Sequence, residues 1–358
     1  MTSNLIEPAT AREIAQQPAL WQDVARHVTE RRPTTSAFLD PILSDPRARI
    51  ILTGAGTSAF IGQVLATHLE HTLGRRVDAI ATTDLVAAPR DYLTGDAPTL
   101  LVSFARSGDS PESVAAADLA DRFLEHPYHL IITCNADGAL ATARAGKAGS
   151  LVLTMPAASN DTGFAMTSSF TCMLLTARLT LGAPVSPGVL DGLVEAASRA
   201  LEETPAWAGE LARRGFDRIV HLGSGALQGM AREAALKMLE LTAGQVGTWF
   251  DSPLGFRHGP KSVLTDRTLI VVHTSGDPYT RQYDDDIIAE LSGHEVVVLS
   301  SSAASSWDGD DTLRALAYAV PCQIMALEFS LALGLTPDNP FPEGQVTRVV
   351  SGVRIHPV

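Results

Sequence analysis

Short uninterrupted apolar runs alternate along this chain with longer stretches whose apolar positions recur every three or four residues. Continuous runs fit strands buried on both faces of a parallel sheet, and the longer spacing fits helices that cover it. The predicted strands are 49–53, 77–82, 99–103, 129–134 and 150–154, and then, after an interval, 218–222, 269–273 and 295–300. Strands that alternate with helices read as βαβ units, so the fold class is α/β with doubly wound parallel sheets.

The pattern occurs twice. Gly54-Ala-Gly56 after the first strand matches Gly223-Ser-Gly225 after the strand at 218–222, and Thr274-Ser-Gly-Asp-Pro278 echoes the loop at 104–113 with less serine. This predicts an internal duplication: one subdomain over 48–182, a second over 215–358, a Pro-bearing link at 183–214 with a helix at 189–203, and a helical arm over 1–47. Within the arm, Ile14, Trp21, Val24 and Val28 give an apolar face, Thr10-Ala-Arg-Glu13 fits a capping box, and Pro33 and Pro41 are expected to break the helix. Asp161–Leu181 predicts a closing helix. Ala319–Leu335 is the longest apolar stretch, but it carries Gln323 and Glu328 and predicts a buried helix rather than a span.

The two loops of the first subdomain carry candidate chemistry. Gly54-Ala-Gly-Thr-Ser58 and Arg106-Ser-Gly-Asp-Ser110 each lead from a strand into a helix. Glycine allows close backbone approach, and a helix start presents free N–H groups and the positive end of the dipole. With hydroxyls from Thr57, Ser58, Ser107 and Ser110, two such loops at one sheet edge predict a phosphate cradle. Asn135-Ala-Asp-Gly138 is a turn at the same edge. The same residues also suit plain turns and caps. Gly54-x-Gly56-x-x-Ala59 fits a dinucleotide fingerprint as well, but that fingerprint wants an acidic residue roughly 20 positions on, and Asp78 and Asp84 lie further away.

Composition narrows the partners. The 358 residues are 45% hydrophobic, enough for substantial cores, and the net charge of −13 argues against nucleic acid and anionic membrane surfaces. Cys134, Cys172 and Cys322 are scattered, which predicts neither a disulfide framework nor a zinc site and suits a reducing compartment. Met1–Thr10 has neither a basic region nor an apolar core, so a cytoplasmic location is expected.

A second candidate constellation follows Gly225. Glu233, Lys237 and Glu240 recur at i, i+4 and i+7 and share a helix face, a spacing that a solvated Glu–Lys face shows equally. Beyond them, the Gly- and Pro-rich segment Phe250–Lys261 holds Arg257, His258 and Lys261. A carboxylate can move a proton between adjacent sugar carbons, a histidine can open the ring, and basic groups can stabilise an enediolate.

These strings resemble the sugar isomerase (SIS) domain, and the whole chain resembles the AgaS family of amino-sugar catabolism. The resemblance rests on Ile51–Gly62, Arg106-Ser-Gly, Ser110–Ala116, Gly163-Phe-Ala-Met-Thr-Ser-Ser169, Asp251-Ser-Pro, Gly255–Ser262 and Pro278–Asp284. It implies two flavodoxin-like SIS sandwiches and an enzyme acting on a six-carbon sugar phosphate, without cofactor or metal, as a homodimer or higher homo-oligomer with shared active sites. By similarity to the isomerase domain of glucosamine-6-phosphate synthase, Ser58, Arg106, Ser107 and Ser110, with Thr57 beside them, would hold the phosphate. Glu240 would shuttle the proton, and His258 of a neighbouring subunit would open the ring. Two departures from that relative stand out: Ala105-Arg106 replaces its Ser-Gln pair, and Arg348 stands where its Schiff-base lysine would be. Arginine cannot form that imine, so Lys237 and Arg348 are expected to give electrostatic support only. The implied reaction converts galactosamine 6-phosphate to tagatose 6-phosphate and ammonia. The alternatives are the same chemistry on glucosamine 6-phosphate, plain aldose–ketose isomerisation, and a non-enzymatic sugar-phosphate sensor.

Overall fold

A computed structural model describes residues 7–300, 307–350 and 352–358. The chain divides into two compact units, each built on one parallel sheet.

One unit comprises Leu20–Asn160, Ser169–Val185 and Thr347–Val358. Its strands are β1 (Arg49–Thr53), β2 (Arg76–Ala79), β3 (Thr99–Ala105), β4 (Pro127–Thr133) and β5 (Ser150–Thr154), in the order β2-β1-β3-β4-β5. Every residue of β1 and β3 is buried, as their unbroken apolar sequences require. Ile51, Leu85, Leu101, Ala116 and Ile131 share one of its apolar clusters. The second predicted strand is shorter than expected: it stops at Ala79, and Thr82 opens a short helix to Ala87.

The other unit comprises Met1–Ala19, Asp161–Ser168 and Ser186–Val346. Its strands are β6 (Arg218–Gly223), β7 (Gly247–Asp251), β8 (Thr268–His273) and β9 (Glu295–Leu299), in the order β7-β6-β8-β9. The first four strands of both sheets therefore share one order. The reversal lies between β1 and β3 in the first sheet and between β6 and β8 in the second, and the crevice at such a switch point is where α/β sheets take ligands. Val220, Leu222, Phe256, Ile270, Val272 and Ile287 form part of the core here.

Helices account for the remaining differences from expectation. Pro33 and Pro41 do not break the arm, which runs as one helix from Gln17 to Leu43. Both prolines are exposed, and the carbonyls they cannot bond, those of Thr29 and Ala37, also belong to exposed residues that water can reach. Thr10 and Glu13 form no capping box. Asp338 accepts from the Ala9 and Thr10 amides at 2.7 and 2.8 Å, while the Glu13 carboxylate accepts from the Thr162 hydroxyl at 2.8 Å and the Gly163 amide at 3.2 Å. Much of the Gly163–Ser169 string is thus a seat for the first helix: a Cβ on Gly163 would lie 2.6 Å from the Thr10 hydroxyl. The closing helix starts at Ser168 rather than Asp161, because Asp161 stays outside it and accepts from the Thr167 and Ser168 amides. The link helix extends from Pro187 to Arg213, beyond the expected 189–203. Asp311–Ala332 is long and apolar enough to cross a membrane, yet 83% of its most apolar window is buried within the fold, as a core helix.

Candidate active site

The switch point of the first sheet holds the predicted phosphate cradle. β1 and β3 are hydrogen-bonded neighbours with Thr53 opposite Ser103, so the loops that follow them lie side by side. Gly56 has φ 54° and ψ −127° and directly precedes the helix Thr57–Leu73, a backbone conformation that disfavours any side chain at the turn. A Cβ on Gly54 would lie 2.6 Å from that of Ser58. Thr57 and Ser58 are buried at the helix start, and Gly56 has no side chain to cap it.

The second loop is buttressed from below. Ser110 precedes the helix Pro111–Phe123 without capping it, and its hydroxyl meets that of Ser113 at 2.6 Å. Ser107 is half-buried, and its hydroxyl accepts from the Asp109 amide at 3.3 Å. The turn after β4 grips this loop: Asn135 Nδ2 donates to the Ser107 carbonyl at 2.9 Å, and Asp109 Oδ1 accepts from the Ala139 amide at 2.9 Å. Gly138 sits so close that a Cβ there would be 2.3 Å from the Ser107 carbonyl oxygen. No local pattern marks Asn135 and Asp109 as supports, although the turn's place at this edge is legible in the sequence.

Arg106 is buried and donates through Nη2 to the Arg348 carbonyl at 3.0 Å, while Arg348 is itself exposed. The C-terminal segment thus returns to the phosphate loop, a contact no local pattern announces. Asp78 pairs with Arg49 at 2.6 Å and with Arg76 at 2.9 Å, so it is not held as a ribose ligand.

In the second sheet the same turn recurs. Gly225 has φ 56° and ψ −125°, within two degrees of Gly56, and a Cβ on Gly223 would lie 2.5 Å from the Leu227 carbonyl oxygen. The loop after β8 is filled by the protein's own carboxylates. Asp284 accepts from the Ser275 amide at 2.7 Å, and Asp311 accepts from the Ser275 hydroxyl at 2.6 Å and the Gly276 amide at 2.8 Å. Burial raises Asp284 from 3.8 to about 6. Between those values the folded chain keeps a proton that the unfolded chain has released, so this group's contribution to stability is present below about 4 and lost as pH rises through about 6. Asp284→Asn is expected to flatten that part of the melting-temperature profile; an equally steep profile in the variant would contradict the assignment.

The helix Ala226–Leu241 carries the second constellation, and its Glu–Lys face is not solvated. Glu233 is 0% and Lys237 1% exposed. Lys237 Nζ lies 3.5 Å from Glu233 and bonds Glu240, whose side chain keeps 26% exposure. A buried ammonium therefore orients a carboxylate that solvent or a ligand can reach. The basic loop is arranged differently from expectation. Arg257 pairs with Glu290 at 2.7 Å and Lys261 bonds the same carboxylate, so neither points at an oxyanion; together they hold Glu290 below the usual carboxylate range. His258 is exposed, and its ring has no hydrogen bond or ion pair among the described residues.

A 490 Å³ groove beside helix Pro187–Arg213 and β9, lined by Glu203, Trp207, Arg214 and Tyr318 among others, contains none of these residues.

Residues 42–182 match the SIS domain family. A Streptomyces coelicolor protein bearing the AgaS name is 54% identical over 97% of this chain and 95% of its own length. This chain belongs to the AgaS family. The D-galactosamine-6-phosphate deaminase AgaS of Shewanella sp. is 47% identical over 97% of this chain and 92% of its own. Among solved structures, the tagatose-6-phosphate ketose/aldose isomerase of Escherichia coli is 41% identical with a TM-score of 0.87, over 98% of this chain and 97% of that one. The shared AgaS length accounts for both sheets, with the SIS match falling on the one that carries the Ser-rich loops.

Proposed function

We propose that this protein converts galactosamine 6-phosphate and water to tagatose 6-phosphate and ammonia. The observation that carries the chemistry is the buried Lys237 bonded to a reachable Glu240; the substrate comes from the AgaS relatives. In this reading Thr57, Ser58, Ser107, Ser110 and Arg106 hold the phosphate. His258 opens the ring by moving the O1 proton. Glu240 takes the proton from C2 and returns it to C1 through an enolamine, leaving an imine at C2. Water adds to that imine and ammonia leaves, giving the ketose. Lys237 holds Glu240 in place, and Arg348 adds positive charge. The enolamine route needs no covalent lysine, in keeping with arginine at 348.

His258 is exposed, and Leu239, Trp249, Phe250 and Leu254 are all at least 39% exposed on the same stretch of the unit. Clustered apolar exposure of this kind marks contact surfaces. It supports a homo-oligomer in which His258 serves a neighbour's site. Cys134, Cys172 and Cys322 are all buried, which fits work in a reducing cytoplasm.

The isomerase name of the E. coli structure favours a second reading, isomerisation without loss of nitrogen. Incubation of purified protein with galactosamine 6-phosphate, glucosamine 6-phosphate and tagatose 6-phosphate separates these. We expect ammonia from the galacto substrate at ten or more times the rate of its gluco epimer. Aldose formation from tagatose 6-phosphate with no ammonia from either amino sugar would select the isomerase.

A further inference from the structure

Beneath the helix Ala226–Leu241 lies a cluster that the reaction does not use. His273 ends β8 opposite Gly223, so His221, two residues earlier on β6, projects from the same face of the sheet. Both imidazoles are 0% exposed, and His221 Nδ1 faces His273 Nε2 at 3.2 Å. Cys322, on the core helix Asp311–Ala332, completes the group, and the three donor atoms lie within 4.8 Å of one another. Tyr318, one turn earlier, packs edge-on against His273 at 6.0 Å and donates to the Thr274 carbonyl at 2.9 Å, fixing that ring's position.

We propose that His221, His273 and Cys322 form a buried zinc site, independent of the sugar-phosphate chemistry. Two imidazoles and a thiol converge where water does not reach, and one neutral hydrogen bond joins the two rings. Two nitrogens on one tetrahedral zinc stand roughly 3.3 Å apart, and a nitrogen and a thiolate about 3.6 Å, so the facing nitrogens already have the required separation and the sulfur needs only a small approach. The donor set of two imidazoles and one thiolate suits zinc rather than magnesium or calcium. On binding, the Cys322 thiol releases its proton to solvent and the thiolate bonds the metal. The bound ion would tie β6 and β8 to the core helix behind the Lys237–Glu240 pair.

The test uses the full-length chain expressed in zinc-supplemented medium, washed with chelator and assayed for metal. We expect about one zinc per folded chain, and in cobalt-supplemented medium a thiolate-to-cobalt charge-transfer band. Cys322→Ser should abolish the band, and His221→Phe/His273→Phe should lower metal content at least tenfold. Folded wild-type protein that retains less than a tenth of an equivalent, or that binds cobalt without the band, would overturn the proposal. The wild-type spectrum decides the matter even if the variants fail to fold.

Discussion

Glu240→Gln is expected to lower turnover by about 10²–10⁴-fold while leaving sugar-phosphate affinity within about twofold. Glutamine keeps the shape and can still accept from Lys237 through its amide oxygen, so the helix face should survive. What it loses is the ability to take a proton from carbon. In the proposed reading the Ser- and Gly-built turns after β1 and β3 hold the phosphate, so affinity should not follow the loss. Ammonia release measures the first quantity and titration calorimetry with substrate the second. Wild-type turnover in the variant would remove Glu240 from the mechanism; a parallel collapse of binding would move it from proton transfer to substrate holding.

Glu233→Ala is expected to destabilise the fold by about 3–5 kcal/mol, the usual cost of removing one partner of a fully buried ion pair. Glu233 and Lys237 are 0% and 1% exposed, so the ammonium cannot recover its hydration when the carboxylate is removed. The bond to Glu240 remains, but Glu240 is partly exposed and the ammonium has lost its buried carboxylate. Replacing both partners, as in Glu233→Leu/Lys237→Met, should cost less than the two single changes together, because no buried charge is left uncompensated. Urea unfolding of the single and double variants measures the difference. Strict additivity would mean that the two side chains do not act on each other.

The strands and the duplication were legible because they are local: unbroken apolar runs and a repeated Gly-x-Gly turn suffice to place them, and both turns have the same backbone angles. The two strand-to-helix loops of the first sheet were legible for the same reason. β7 was not. It is an edge strand with Trp249 and Phe250 exposed, it pairs only with β6, and its sequence runs into the Gly- and Pro-rich loop without the alternation that would mark it. Thr10 and Glu13 matched a capping pattern, but their partners lie at 338 and at 162–163, where no local spacing leads. The burial of Glu233 and Lys237 was hidden similarly: helical periodicity gives a shared face and does not say whether that face meets water or another helix. His221 and His273 are 52 positions apart, and only strand pairing brings them together.

Gene duplication usually hands a protein two copies of whatever the ancestral unit could grasp. Here Asp284 and Asp311 have plugged the later socket from within, converting a would-be docking place into an internal brace. In the proposed mechanism the phosphate then falls to the loops of the first sheet, and the second sheet supports the helix that carries Glu240.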